Sequence, residues 1–449
     1  MNFAVVNLGC KVNRVESDAA AAQLLAAGGR AVTEAEADLV VVNTCTVTGE
    51  AEKKTRKAVR RALRANGHAR VVVTGCAAAL DAAAYEALDA RVRVVPKAGL
   101  AQALEALLAE GGAGHAAAAV SSSGEHMPAP GAADPPSTPP AACAPDAWPA
   151  GALLRTGEGF PTRVGVKVQD GCDNACTYCI VHVARGRAVS RPADQVVAEC
   201  VAYARAGVRE IVLAGINLGS YCEGGRRDPG ALRLPGLLAR LLDEPAGLHG
   251  QGEPPCRFRI SSIEPRDVDG ALVDVLAAAE GRVCRQMHLP LQAGSDAVLH
   301  AMARPYRCAD YVALVDRLRA ACPSLSLSTD VIVGFPGETD AQFEETLDVA
   351  RRCGFAKIHV FPYSKRAGTP AAARSDQVPA EAKAARAATL RALSDELRAA
   401  DFARRAGTTE LTLVEEGGVA MTESHYRIRA PRPALPGSLV PVVLEAELP

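Results

Sequence analysis

Short apolar runs along this 449-residue chain end repeatedly in a cysteine and give way to helical spacing. Phe3-Ala-Val-Val-Asn7 leads to Leu8-Gly9-Cys10, Leu39-Val-Val-Val-Asn43 to Thr44-Cys45, and Arg70-Val-Val-Val-Thr74 to Gly75-Cys76. The cysteines lie 35 and 31 positions apart, each gap about one βα unit long. Right-handed crossovers make such strands parallel and carry all three thiols to one carboxyl edge, where open sheets place ligands. Three small core thiols at strand ends would leave the same pattern; a three-cysteine iron–sulfur site is the stronger reading.

From Phe160 onward the pattern predicts strands at 163–168, 210–214, 257–261, 286–289, 327–333 and 357–361. Helical stretches follow most of them, for instance 193–205, 267–279 and 340–352. Six βα units suggest a partial barrel, with chemistry at the carboxyl ends of its strands. A helical stretch at 380–405 precedes short strands at 411–414, 426–429 and 439–444, enough for a small β-barrel. Residues 111–155 are rich in Ala, Ser and Pro, lack periodicity and predict a disordered linker, with Cys143 an incidental thiol inside it. The expected organisation is a parallel-sheet α/β domain over 1–110, the linker, a partial (β/α)6 barrel over 156–400 and an all-β domain over 401–449.

Composition narrows the function. Apolar residues make up 49% and charged residues 22%, so sizeable cores can form. A net charge of −1 provides no bulk field for nucleic acid, so any RNA contact must come from a local patch. No apolar run approaches the length of a membrane span and no export signal is evident, which predicts a cytoplasmic protein without a membrane partner. Fourteen cysteines then argue for metal ligation rather than disulfides.

Asp170-Gly-Cys-Asp-Asn-Ala-Cys-Thr-Tyr-Cys179 places Cys172, Cys176 and Cys179 at C-x3-C-x2-C spacing. A [4Fe–4S] cube ordinarily takes four thiolates; three hold it and leave one iron open to a further ligand. The loop resembles the signature of radical S-adenosylmethionine (SAM) enzymes, with Tyr178 at the position where those enzymes carry an aromatic residue. Cys200, Cys222, Cys256, Cys284, Cys308, Cys322 and Cys353 lack cluster spacing and are expected to be buried thiols.

Over nearly the whole chain except the linker, these motifs resemble the methylthiotransferases of the radical SAM superfamily, whose last domain is a TRAM domain. Leu8-Gly-Cys-Lys-Val-Asn13, Asn43-Thr-Cys-Thr-Val-Thr48 and His359-Val-Phe-Pro-Tyr-Ser-Lys-Arg366 resemble the MtaB branch, which acts on N6-threonylcarbamoyladenosine beside the anticodon of tRNA. The resemblance implies an auxiliary sulfur-carrying [4Fe–4S] cluster on Cys10, Cys45 and Cys76, and a radical-generating one on Cys172, Cys176 and Cys179. It implies two SAM molecules per turnover, one giving a methyl group and one a 5′-deoxyadenosyl radical that removes hydrogen from carbon 2 of the adenine. An electron donor such as flavodoxin or ferredoxin and a sulfur source complete the set. Candidate SAM contacts, besides Tyr178, are Gly215, Asn217, Ser262, Glu264, Gln292, Ser295, Asp330 and Gly334, all near strand ends. Arg366, with Tyr363 and Lys365, is expected to meet the threonylcarbamoyl carboxylate, because guanidinium binds carboxylate bidentately.

A helix at 50–64 carries Lys53, Arg56, Arg60 and Arg64 at helical spacing, a solvated face or a tRNA phosphate contact beside Cys45. The last domain has six acids against Arg427, Arg429 and Arg432 over residues 408–449, so it is TRAM-like with a weak electrostatic grip on RNA. Alternatives are the same chemistry on isopentenyladenosine (the MiaB branch) or on a ribosomal protein aspartate (the RimO branch), and a non-enzymatic iron–sulfur carrier or RNA-binding scaffold.

Overall fold

The computed structural model describes residues 1–46, 49–112, 162–225, 228–244, 255–279 and 281–446. Most of the expected linker, with Cys143, lies outside them; Gly111 and Gly112 end the helix Leu100–Gly112.

The first unit is a five-stranded parallel sheet rather than the three strands expected. Asn2–Asn7, Leu39–Thr44 and Arg70–Gly75 form its centre, and the short strands Arg30–Ala31 and Val92–Val94 lie at its edges. Phe3 pairs with Leu39 and Leu39 with Arg70, a register that brings the ends of all three cysteine-bearing strands level. Leu39 to Thr44 are buried without interruption, as expected of a parallel strand covered on both faces.

The barrel strands run Val164–Lys167, Glu210–Ala214, Arg257–Ile260, Gln286–His288, Ser326–Val333 and Lys357–Pro362. Pairing is parallel within the first three and within the last three. Parallel bridges Phe258–Val283 and Ser262–His288 join the third strand to the fourth. The outcome is an open six-strand wall with one continuous apolar core behind it.

The C-terminal unit is a four-stranded antiparallel sheet, Thr409–Glu415, Val419–Thr422, Arg427–Arg429 and Leu439–Val443, one strand more than expected. It docks on the barrel through buried charge. Glu210, wholly buried, accepts from Arg257 Nε at 2.8 Å and from Arg259 Nε at 2.7 Å. Both guanidinium groups then donate across the boundary, Arg257 to Leu411 O at 2.6 Å and Arg259 to Thr422 O and Glu423 O at 3.0 Å each. Among the described residues no helix is long and apolar enough to cross a membrane.

Candidate functional site

Local chemistry explains why each cysteine of the first unit stands where it does. Cys10 precedes the helix Lys11–Ala26 and Cys76 opens the helix Cys76–Leu80. Cys45 follows its strand directly and is buried. An Asn13–Asn43 clasp ties the first cysteine turn to the second. Asn13 Nδ2 donates to Thr44 O at 2.7 Å, and Asn43 Nδ2 donates back to Asn13 O at 2.9 Å. Gly75 closes the third side: its φ is +99°, and a Cβ there would meet Thr44 O at 2.4 Å. The glycine before Cys76 is therefore the condition for bringing that turn against Thr44-Cys45.

The C-x3-C-x2-C loop follows the first barrel strand at its carboxyl end. Gly171, at φ +68°, makes the turn into it, and a Cβ would strike Arg187 O at 1.9 Å. Thr177 N donates to Met302 O at 3.1 Å and Thr177 Oγ1 to Ala301 O at 2.9 Å, stitching the loop to the wall opposite. Each sulfur of this loop accepts a donor: Asn174 N on Cys172 and Val181 N on Cys179, both at 3.4 Å, and Arg304 Nη1 on Cys176 at 3.3 Å. Burial pushes the Cys172 thiol up to about 11 and the Cys179 thiol up to about 12. Loading a metal centre must displace those protons, and the converging donors stabilise the resulting anions.

Arg304 was not singled out by sequence, because its target is 128 positions away. It also pairs with Glu264, so Glu264 sits behind Cys176 as the partner that aims the guanidinium. Exchanging Arg304 for Gln is expected to weaken cluster retention on the order of 10–100-fold, the usual cost of losing an outer-shell partner. The rate of iron loss to a chelator measures it; a rate equal to wild type would contradict this role.

One cavity beside Cys179 is shared by the barrel and the first unit. Tyr178, Cys179, Gln292, Asp330, Tyr363, Ser364 and Arg366 line it from the barrel, and Thr46, next to Cys45, from the first unit. Gln292 reaches it from a left-handed backbone (φ +66°), pinned by Gln292 N to Asp330 O at 2.8 Å and Ile332 N to Gln292 O at 2.9 Å. Such strain persists only where surroundings over-determine it. Arg366 is 7% exposed, and its Nε and Nη2 have no hydrogen-bond partner among the described residues; Nη1 reaches Glu52 at 3.3 Å. The Tyr363 hydroxyl is likewise buried and unpaired.

Of the candidate contacts, Tyr178, Gln292, Asp330, Tyr363 and Arg366 line this cavity; Gly215, Asn217, Ser262, Glu264, Ser295, Gly334 and Lys365 do not. Gly215 is accounted for by packing, since a Cβ would meet Leu218 Cα at 3.1 Å. Lys365 is exposed. Asn217 keeps a buried, unpaired Oδ1 just past the second strand. Near Asp330, His288 Nε2 lies 3.3 Å from its Oδ1, and Ser328 Oγ is 3.0 Å from His288 Nδ1. Among the seven cysteines expected to be buried, Cys222, Cys308 and Cys322 are only half-buried. Cys308 opens the helix Cys308–Ala321 and Cys322 caps its end. Lys53, Arg56, Lys57, Arg60 and Arg64 form a basic face on the helix Gly49–Ala65 that starts just after Cys45.

Residues 166–350 match the model of the Radical SAM superfamily, and residues 2–95 that of Uncharacterized protein family UPF0004. Threonylcarbamoyladenosine tRNA methylthiotransferase MtaB of Chlamydia pneumoniae is 34% identical, the match covering 94% of this chain and 90% of that protein. The chain belongs to the radical SAM methylthiotransferases. The Bacillus subtilis protein of the same name is 34% identical over 93% of this chain and 85% of its own length. The tRNA-2-methylthio-N(6)-dimethylallyladenosine synthase of Maricaulis maris is 36% identical over 93% and 88%. In fold, this methylthiotransferase is similar to the radical SAM methyltransferase TsrM of Kitasatospora setae, with a TM-score of 0.55 at 18% identity, covering 83% of this chain and 74% of that one. As a radical SAM enzyme it takes a [4Fe–4S] cluster and SAM.

Proposed function

We propose that this enzyme replaces the carbon-2 hydrogen of N6-threonylcarbamoyladenosine, beside the anticodon of tRNA, with a methylthio group. Two [4Fe–4S] clusters serve it: a radical-generating one on Cys172, Cys176 and Cys179, and an auxiliary one on Cys10, Cys45 and Cys76. The donor sets fit such groups, three thiols each at the carboxyl edge of a parallel sheet, one set already capped by N–H and guanidinium donors. Held there, the cofactors would supply radical and sulfur-transfer chemistry, which the unactivated adenine C–H bond needs because acid–base catalysis offers it little.

The protein's own residues bind, orient and shield. Tyr178, Gln292 and Asp330 line the cavity and are the residues assigned to hold SAM. Arg366 lines the same cavity as Thr46 and Cys179 with two buried donors unspent, and this observation carries the substrate assignment. Nη1 of this buried guanidinium already reaches Glu52, but Nε and Nη2 keep a desolvation cost that a further planar anion would relieve. The threonylcarbamoyl carboxylate is such an anion; a dimethylallyl group is not. The basic face of the helix Gly49–Ala65 supplies phosphate contact that the overall charge lacks. One-electron reduction comes from a carrier of the flavodoxin or ferredoxin type, and sulfur from an external source.

Digesting total tRNA from a strain lacking the gene tests the assignment: 2-methylthio-N6-threonylcarbamoyladenosine is expected to vanish, and an unchanged peak would overturn it. Loss of the 2-methylthio-dimethylallyl nucleoside instead would favour the substrate named for the Maricaulis maris relative. Arg366→Met is expected to raise KM for a threonylcarbamoylated stem-loop about 10–100-fold, as when a charged hydrogen-bond partner is removed. Steady-state kinetics with liquid chromatography of the product reads it; an unchanged KM would exclude the carboxylate contact.

A further inference from the structure

We propose that Arg185 is a positioning residue for the auxiliary centre: it orients Cys76 and raises the reduction potential of the cluster held there, joining that centre to the radical-generating loop. The inference rests on the two-cluster reading above.

Arg185, six residues beyond Cys179, ends the short helix Val181–Arg185, yet its side chain reaches into the other domain. It is 1% exposed. Nε donates to Cys76 Sγ at 3.1 Å. Nη2 donates to Asn13 Oδ1 at 2.7 Å, and the same oxygen accepts from Cys10 Sγ at 3.4 Å. Nη1 donates to Asp170 Oδ1 at 2.8 Å and Glu16 Oε1 at 3.0 Å. One guanidinium thus contacts one auxiliary thiol directly, a second through Asn13, and the aspartate two residues before Cys172.

Charge distinguishes this from an ordinary interdomain tie. The group comprises Arg185, Lys97 and Lys167 against Glu16 and Asp170, three cations to two carboxylates. Lys97 Nζ also lies 3.8 Å from Cys76 Sγ. Among the described residues this group holds one more cation than carboxylates, and two of its cations, Arg185 and Lys97, reach sulfur. A [4Fe–4S] cube in its 2+ state on three thiolates carries a net charge of −1 and balances that excess. Both the leftover charge and the N–H···S bond favour the reduced, more negative form of the cluster. Arg304 stands in the same relation to Cys176 in the radical-generating loop, so each set has its own buried arginine.

Full-length protein carrying Cys172→Ala, Cys176→Ala and Cys179→Ala, reconstituted anaerobically, isolates the auxiliary centre for iron analysis and an electron paramagnetic resonance redox titration. In that background Arg185→Gln is expected to retain iron but to lower the reduced-to-oxidised ratio at a fixed potential by on the order of tenfold, the scale of one charged hydrogen bond. Arg185→Lys should recover part of the loss. Glu16→Gln, which adds to the surplus positive charge, should shift the ratio the opposite way, and it decides the matter if Arg185→Gln does not fold. Opposite shifts support the proposal, because loss of packing alone would not reverse sign. Bound iron with an unchanged ratio in these variants overturns the role of Arg185 alone. A background protein that binds no iron overturns the two-cluster reading, and this inference with it.

Discussion

Cys45→Ala is expected to abolish methylthio insertion while leaving SAM cleavage running. Cys45 directly follows the central strand of the first sheet, and its neighbour Thr46 lines the cavity that Cys179 borders. Losing one of three thiolates should cost more than the 10–100-fold typical of an outer-shell partner, and a fall of at least about 10³-fold is anticipated. The radical-generating loop takes its support elsewhere, from Met302, Ala301 and Arg304, and does not depend on Cys45. Formation of 5′-deoxyadenosine with dithionite should therefore stay within about twofold of wild type. Cys176→Ala should lose both activities. Chromatography of 5′-deoxyadenosine and of tRNA digests from the same reaction reads the two outcomes; normal product from the Cys45 variant would contradict the assignment.

Glu210→Gln is expected to loosen the C-terminal sheet from the barrel. The carboxylate is wholly buried, and Arg257 and Arg259 together hold it well below the usual carboxylate range against a large desolvation cost. Neutralising it leaves two buried guanidinium groups without their countercharge, a loss of about 3–5 kcal/mol. A fall of roughly 10 °C in the first thermal transition corresponds to that figure. The pH dependence has a definite sign. Because the folded value lies below the unfolded value near 4.3, the contribution is fully present above about pH 4.3 and declines as pH falls further. Wild type should thus lose its advantage over the Gln variant on acidification below that point. Thermal denaturation of both proteins between neutral and acidic pH checks this; equal midpoints at neutral pH would exclude the network as a docking element.

What could be read from sequence follows from how local the signals are. The strands Leu39–Thr44 and Glu210–Ala214 were legible because dense β-branched and aliphatic runs mark buried parallel strands whatever surrounds them. Arg30–Ala31 and Val92–Val94 were not, since edge strands of two and three residues exist through pairing alone. Val419–Thr422 was missed for the same reason: Val-Ala-Met-Thr has little intrinsic β signal and is held by its neighbours on both sides. That Cys10, Cys45 and Cys76 follow strands whose ends are level was legible through spacing. Arg304 and Arg185 were not, because the sulfurs they bond lie 128 and 109 positions away. Glu264, read as a SAM contact, turns instead toward Arg304, a pairing that only the folded barrel creates.

Iron and acid-labile sulfide, counted per chain on anaerobically reconstituted full-length protein, test the central claim most directly. Two centres facing one cavity require about eight of each in wild type, and about four when Cys10, Cys45 and Cys76 are replaced by alanine. Four irons in wild type, unchanged by that triple replacement, would contradict the account.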